Sequence, residues 1–136
     1  MRASVGAAMM IGLYRWLALL ITILIFAQAV LAGRFLFVDH DAVDIHQAAA
    51  NALSVLVIVH VALVFVTRTK WSQRVPVLTA LLAILVIVQT GLGYAGRDSA
   101  DVLAIHVPVG VLTFGVASLV TAVAFTEEST IHHTEK

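Results

Sequence analysis

The sequence predicts an all-α fold: an integral-membrane, antiparallel four-helix bundle made of two parallel-repeat helical hairpins, with both termini cytoplasmic. Three observations predict it: an apolar composition, four charge-poor stretches of membrane-crossing length, and a second half that restates the first. Of 136 residues, 61% are hydrophobic and 12% charged, and the mean hydropathy is +1.03. Soluble domains use roughly 45–50% apolar residues. Cysteine is absent, which excludes a disulfide framework, CxxC redox chemistry and thiolate metal ligands. With a formal net charge of zero, no nucleic-acid partner is expected; the first partner is the lipid bilayer.

The four stretches are about Leu13 to Ala32, Ile45 to Val66, Val75 to Ala95 and Val102 to Phe125. Each reaches the roughly 20 residues that a helix needs to cross a hydrocarbon core of about 30 Å. They use nearly the whole chain, so residues 1–136 form a single four-span domain, with hairpins at about 12–67 and 75–126. The remainder, 127–136, contains "EESTIHHTEK" and is expected to be a disordered polar tail. Its His132 and His133 are assigned no chemistry. The first span has a rival reading as a secretory signal, because Arg2 and Arg15 precede an apolar core and Val30-Leu31-Ala32 resembles a cleavage site. The repeat argues for a retained span.

Charge sets the orientation. In a four-span arrangement Arg2, Arg15, Arg68, Lys70, Arg74 and Lys136 fall on one side and only Arg34 and Arg97 on the other. The positive-inside rule then puts both termini in the cytoplasm of a plasma membrane, bacterial or archaeal, with the two Asp-bearing turns outside. Trp16 and Trp71 fall near the inner interface, where aromatic anchors collect.

The repeat is the most informative feature. At an offset of 61 the first and third spans match at Leu17/Leu78, Leu20/Leu81, Leu24/Leu85, Gln28/Gln89 and Leu31/Leu92, which is a helical stripe. At an offset of 60 the second and fourth match at Asp41/Asp101, Ile45/Ile105 and His46/His106. Polar groups at membrane depth are costly and rare, so the Gln and His matches carry more weight than the leucines. Each repeat is a helix, an outer turn and a helix, and the two are parallel copies about an axis along the membrane normal. His46 and His106 then lie at equal depth on opposing helices.

Two imidazoles facing across a bundle point to bis-histidine ligation of a haem b near the outer face. Ala50 and Gly110, four residues after each His, offer small surface for a flat macrocycle; tight helix packing is their alternative role. Arg34 and Arg97 are candidates for the haem propionates, or for neutralising nearby Asp. Gln28 and Gln89 are candidates for a porphyrin edge or a quinone carbonyl, the simpler expectation being that they fasten spans one and three together. Asp41 and Asp101 are expected to cap their helices, since five residues of helix point Asp and His about 140° apart. His60 lies 14 residues beyond His46, on nearly the same face and about 21 Å away. It is either a ligand to a second haem, without a partner because Val120 occupies the matching position, or a hydrogen-bonded core group. Asp39, His40 and Asp44 form an alternative divalent-cation site.

These residues resemble a known family. Gln89-Thr-Gly-Leu92-Gly93 has the QxxLG pattern, with a His near the start of the following helix, as in each half of the haem A synthases, and Gln28-Ala-Val-Leu31-Ala-Gly33 is a looser copy. The resemblance, shared in general architecture with bacterial cytochrome b561-like proteins, implies a bis-His haem bundle covering most of the chain. The family's Glu, three residues before an outer His, is replaced by Val43, and the Arg after it by Gln47. Haem ligation needs neither residue, whereas the family's oxidation of a haem methyl group is left open. The expectation is therefore a membrane haem protein in electron transfer or haem handling, with a quinone or membrane redox partner. The alternative from another class is a haem-free accessory or scaffold subunit of a homo-oligomer or larger complex. A transporter ranks third, because the spans hold few ionisable groups.

Overall fold

The computed structural model describes residues 2–39 and 41–134, and the side-chain surroundings of residues 5–39 and 41–127. Four helices follow in order: α1 (Arg2–Phe37), α2 (Ala42–Thr67), α3 (Arg74–Ala95) and α4 (Ala100–Thr134), with a 3₁₀ turn at Arg68–Lys70. Each is long and apolar enough to cross a membrane. The shortest, α3, has 22 residues, or about 33 Å of helix, against a hydrocarbon core of about 30 Å.

α1 packs on α2 and α4, and α3 packs on the same two helices. This closes a four-membered ring in which α1 and α3 lie on one diagonal, α2 and α4 on the other. Short turns join consecutive helices, which makes neighbours antiparallel. One end of the bundle carries the α1–α2 and α3–α4 turns, here called the turn end. The other carries the α2–α3 connection and is the connection end.

The interior is an apolar stripe from each helix at spacings of three and four, including Leu17, Ile21 and Ile25 of α1, Leu53 and Val57 of α2, Leu82 and Val86 of α3, and Val116 and Val120 of α4. Every helix also presents large apolar residues outward, among them Phe26, Ile58, Ile87 and Val111. An apolar surface on all sides is what a membrane-spanning bundle offers to lipid. Several matched positions of the two halves share their exposure: Leu20 and Leu81 are exposed, and Leu24, Leu85, Leu31 and Leu92 are half-buried, whereas Leu17 is buried and Leu78 half-buried.

The helix ends differ from expectation in instructive ways. Asp41 occupies the N-cap position of α2 with helical φ and ψ, and its side chain makes no capping bond. Instead Asp39 Oδ1 accepts the Asp41 N–H at 3.1 Å. At α4 the cap is Ser99, whose hydroxyl oxygen accepts the Val102 N–H at 3.4 Å, while Asp101 falls inside the first turn. There its charge meets the helix dipole favourably without a capping bond. α3 begins under Ser72, whose Oγ accepts the Arg74 N–H at 3.3 Å. Ser72 in turn donates its hydroxyl and, at 3.1 Å, its backbone N–H to the Glu127 carboxylate, tying the connection to α4. α4 continues to Thr134, beyond the point where a disordered tail was expected, because residues 127–134 contain neither Gly nor Pro to end it.

Candidate functional site

At the turn end the repeated residues come together. His46 on α2 and His106 on α4 face each other along the bundle diagonal, with ring centroids 6.5 Å apart and planes inclined by 69°. Both are half-buried. The Nδ1 atom of each is buried and has no hydrogen-bond partner.

The two glutamines hold these histidines in the same way. Gln28 Nε2 donates to the His46 carbonyl at 3.1 Å, and Gln89 Nε2 donates to the His106 carbonyl at 3.0 Å. Each glutamine thus fastens its own hairpin, α1 to α2 or α3 to α4. The link between spans one and three expected of these glutamines is not made, because each meets the neighbouring helix of its own hairpin first. The halves differ in one contact: Gln89 Nε2 also lies 3.2 Å from His106 Nε2. The Oε1 atoms of both glutamines are buried without partners.

Glycine makes that contact possible. A Cβ built at Gly110 would lie 2.9 Å from Gln89 Nε2, so the space expected to receive a macrocycle receives this amide. A Cβ at Gly93 would meet His106 Cε1 at 3.3 Å, so the α3 backbone approaches the imidazole closely. Ala50, the first-half counterpart of Gly110, is half-buried.

Around the pair, Arg97 donates to Gln47 Oε1 and its guanidinium lies 5.0 Å from the centre of the Tyr94 ring. Tyr94 donates to Asn51 Oδ1 at 3.1 Å and accepts from Gln47 Nε2 at 3.3 Å. This network joins α2 to the end of α3. Arg34 reaches Asp39 at 4.0 Å with both side chains largely in the open, which fits the neutralising role for that arginine. Of the alternative cation site, His40 lies outside the described residues, and among the described residues no group of three or more His, Asp or Glu is gathered as a metal site would need.

His60 sits elsewhere, in the connection-end half, fully buried. Its ring stacks on Tyr14 at 4.2 Å between centroids and 18° between planes. Neither ring nitrogen makes a hydrogen bond, although the Tyr14 main chain is close by. Tyr14 OH bonds Thr79 Oγ1 at 2.6 Å. Because Thr79 already donates to the Val75 carbonyl at 2.8 Å, the phenol is the donor in that bond. Trp71 packs 5.1 Å from Tyr14 and donates its indole N–H to Thr67 Oγ1 at 2.9 Å. Trp71 is thus an interior residue, while Trp16 is exposed and meets Phe125 edge-on at 5.8 Å.

This second cluster went unread in the sequence, yet signals for it were present. Thr67 and Trp71 are four apart, and Tyr14 precedes Gln28 by the 14 residues that separate His60 from His46. In an antiparallel hairpin whose Gln28 meets His46, Tyr14 must meet His60.

The fold and the site define a class: an apolar four-helix bundle of membrane-crossing length with two facing histidines, each beside a glutamine-fastened helix contact. No family model matches the chain, and comparisons with curated proteins and with solved structures also find no match.

Proposed function

We propose that this chain is a membrane haem b-binding protein in which His46 and His106 are the axial ligands, acting in electron transfer or haem handling. One observation carries the reading: the two imidazoles face each other across the bundle with centroids 6.5 Å apart. Two imidazoles presented from opposing helices are the donor set that would hold a haem iron. The unpartnered, buried Nδ1 atoms support it, since buried polar atoms are seldom left without a partner.

A haem held by His46 and His106 would supply reversible one-electron chemistry. The chain's own residues set its surroundings. Gln28 and Gln89 fix the backbone of each ligand, so each imidazole is presented from a helix tied to its neighbour. Gln89 would have to release His106 Nε2 if that nitrogen is the ligand, and to vacate the space beside Gly110 whichever nitrogen is used. Arg34 and Arg97 stand at the same end and would be candidates for the haem carboxylates if released from Asp39 and Gln47. In the orientation favoured by the arginine and lysine distribution, this end faces outward from a plasma membrane, open to a redox partner or quinone. Kinship with haem A synthase-like or cytochrome b561-like bundles is part of this proposal and rests on the Gln89–Gly93 motif and the His that follows it.

The test is a visible spectrum of the detergent-solubilised protein from haem-replete cells. We expect a Soret band, with split α and β bands on reduction, abolished in His46→Ala and in His106→Ala. A colourless wild-type protein would overturn the reading.

The contact of Gln89 with both the carbonyl and the ring of His106 favours a second reading, in which the polar pair only fastens helices in a haem-free accessory subunit. That reading expects stable co-purification with other membrane proteins and wild-type behaviour of both His→Ala variants.

A further inference from the structure

Where α2, the 3₁₀ turn and α3 meet at the connection end, they line a half-open groove of about 450 Å³, within the roughly 300–1,000 Å³ of small-molecule sites. Its floor is closed by Val64, Trp71 and Thr79, all buried, while Phe65, Arg68 and Gln73 at its rim are exposed. Polar and charged groups thus gather at the end of the span, and apolar walls continue along the helix face toward the middle of the bundle. That gradient matches a molecule with a charged head and a hydrocarbon tail.

The charge of the head follows from the rim. Arg68 lines the cavity, with Lys70 and Arg74 in the same connection. Among the described residues none of the three has an ion-pair partner, and the carboxylate packed against this connection, Glu127, is turned to Ser72. Pro76 in the cavity wall stands in the first turn of α3, where no intrahelical partner is lost by its missing N–H. The wall is therefore formed at no cost in backbone hydrogen bonds.

We infer that this cavity binds an anionic phospholipid, its phosphate on the Arg68 guanidinium and one acyl chain along Val64 and Phe65. Basic pockets between membrane helices hold anionic headgroups in this manner, and guanidinium matches phosphate in a forked geometry. The inference rests on the membrane-spanning reading of the helices and is independent of haem.

Trp71 provides the probe. In a Trp16→Phe background it is the only tryptophan, and its ring lies in the cavity wall. The full chain is reconstituted in phosphatidylcholine vesicles containing a minor fraction of phosphatidylglycerol, with brominated acyl chains placed on one lipid or the other. Brominated phosphatidylglycerol is expected to quench Trp71 with about fivefold higher apparent affinity than brominated phosphatidylcholine, the equivalent of roughly 1 kcal/mol for one basic residue near the surface. Arg68→Gln abolishes that preference, Arg68→Lys retains part of it, and Arg74→Gln, outside the cavity lining, leaves most of it. Equal quenching by the two lipids would overturn the inference. So would equal losses in Arg68→Gln and Arg74→Gln, which would show surface charge acting without a site.

Discussion

The two ends of the bundle both carry histidine, but they treat it in opposite ways. At the turn end His46 and His106 are half-buried and face each other, their helices fastened by amides that repeat from one hairpin to the next. At the connection end His60 is sealed beneath Tyr14, within a cluster of Trp71, Thr67 and Thr79 drawn from both hairpins, and the repeat places Val120 and Val75 where His60 and Tyr14 would recur. The difference shows what a polar group needs in an apolar bundle. A pair at equal depth is a candidate for sharing a ligand, whereas a lone ring stacked on an aromatic has become part of the packing.

The largest expected effect breaks the closed end. Tyr14→Ala removes the ring on which His60 stacks and the donor to Thr79, and by the scale of buried aromatic truncation costs about 3–5 kcal/mol. Thermal or denaturant unfolding in detergent checks it, and a cost near zero would mean that the cluster does not organise this end. At the turn end, Gly110→Ala sets a methyl group against Gln89 Nε2 and displaces that flexible amide, and is expected to cost about 1 kcal/mol, the worth of the hydrogen bond the amide makes to His106. Gly33→Ala, with nothing within 4 Å of the added carbon, should instead stabilise α1 by up to about 1 kcal/mol.

Next comes the lone imidazole. His60→Leu removes two buried nitrogens that lack partners and is expected to be neutral or to stabilise by about 1 kcal/mol, with any Soret band unchanged. Loss of the spectrum in that variant would move the haem reading to the other end of the bundle. The smallest effects compare the fasteners. Gln28→Leu should cost about 0.6 kcal/mol, typical of an interhelical hydrogen bond in a membrane bundle. Gln89→Leu should cost more, because that amide also contacts the His106 ring. Equal costs would show that the ring contact contributes nothing.

Much of the architecture was legible because its signals are local. Charge-poor runs of about 20 residues name membrane-crossing helices whatever their neighbours, since hydrocarbon tolerates no unpaired backbone. The Gln and His positions stood out for the same reason. Caps were less legible: an Asp before a helix is only a candidate until backbone angles are known, and here Ser99 caps α4 while Asp41 does not bond. The partners of Gln28 and Gln89 were misread because repeat equivalence describes resemblance, not adjacency. Residues equivalent by repeat sit on diagonal helices: the imidazoles of His46 and His106 point inward and meet across that diagonal, whereas each glutamine bonds the neighbouring helix of its own hairpin.

The sequence by itself determined four apolar helices, their short turns, and the correspondence in sequence of Gln28 to Gln89 and of His46 to His106, because composition and periodicity depend on each residue's own solvation. Only the tertiary structure decided that the two imidazoles come within 6.5 Å, that Gly110 holds the Gln89 amide, and that Tyr14 covers His60. Those facts depend on how far apart the helices pack and how each is rotated about its axis, and both are set by the side chains of all four helices at once.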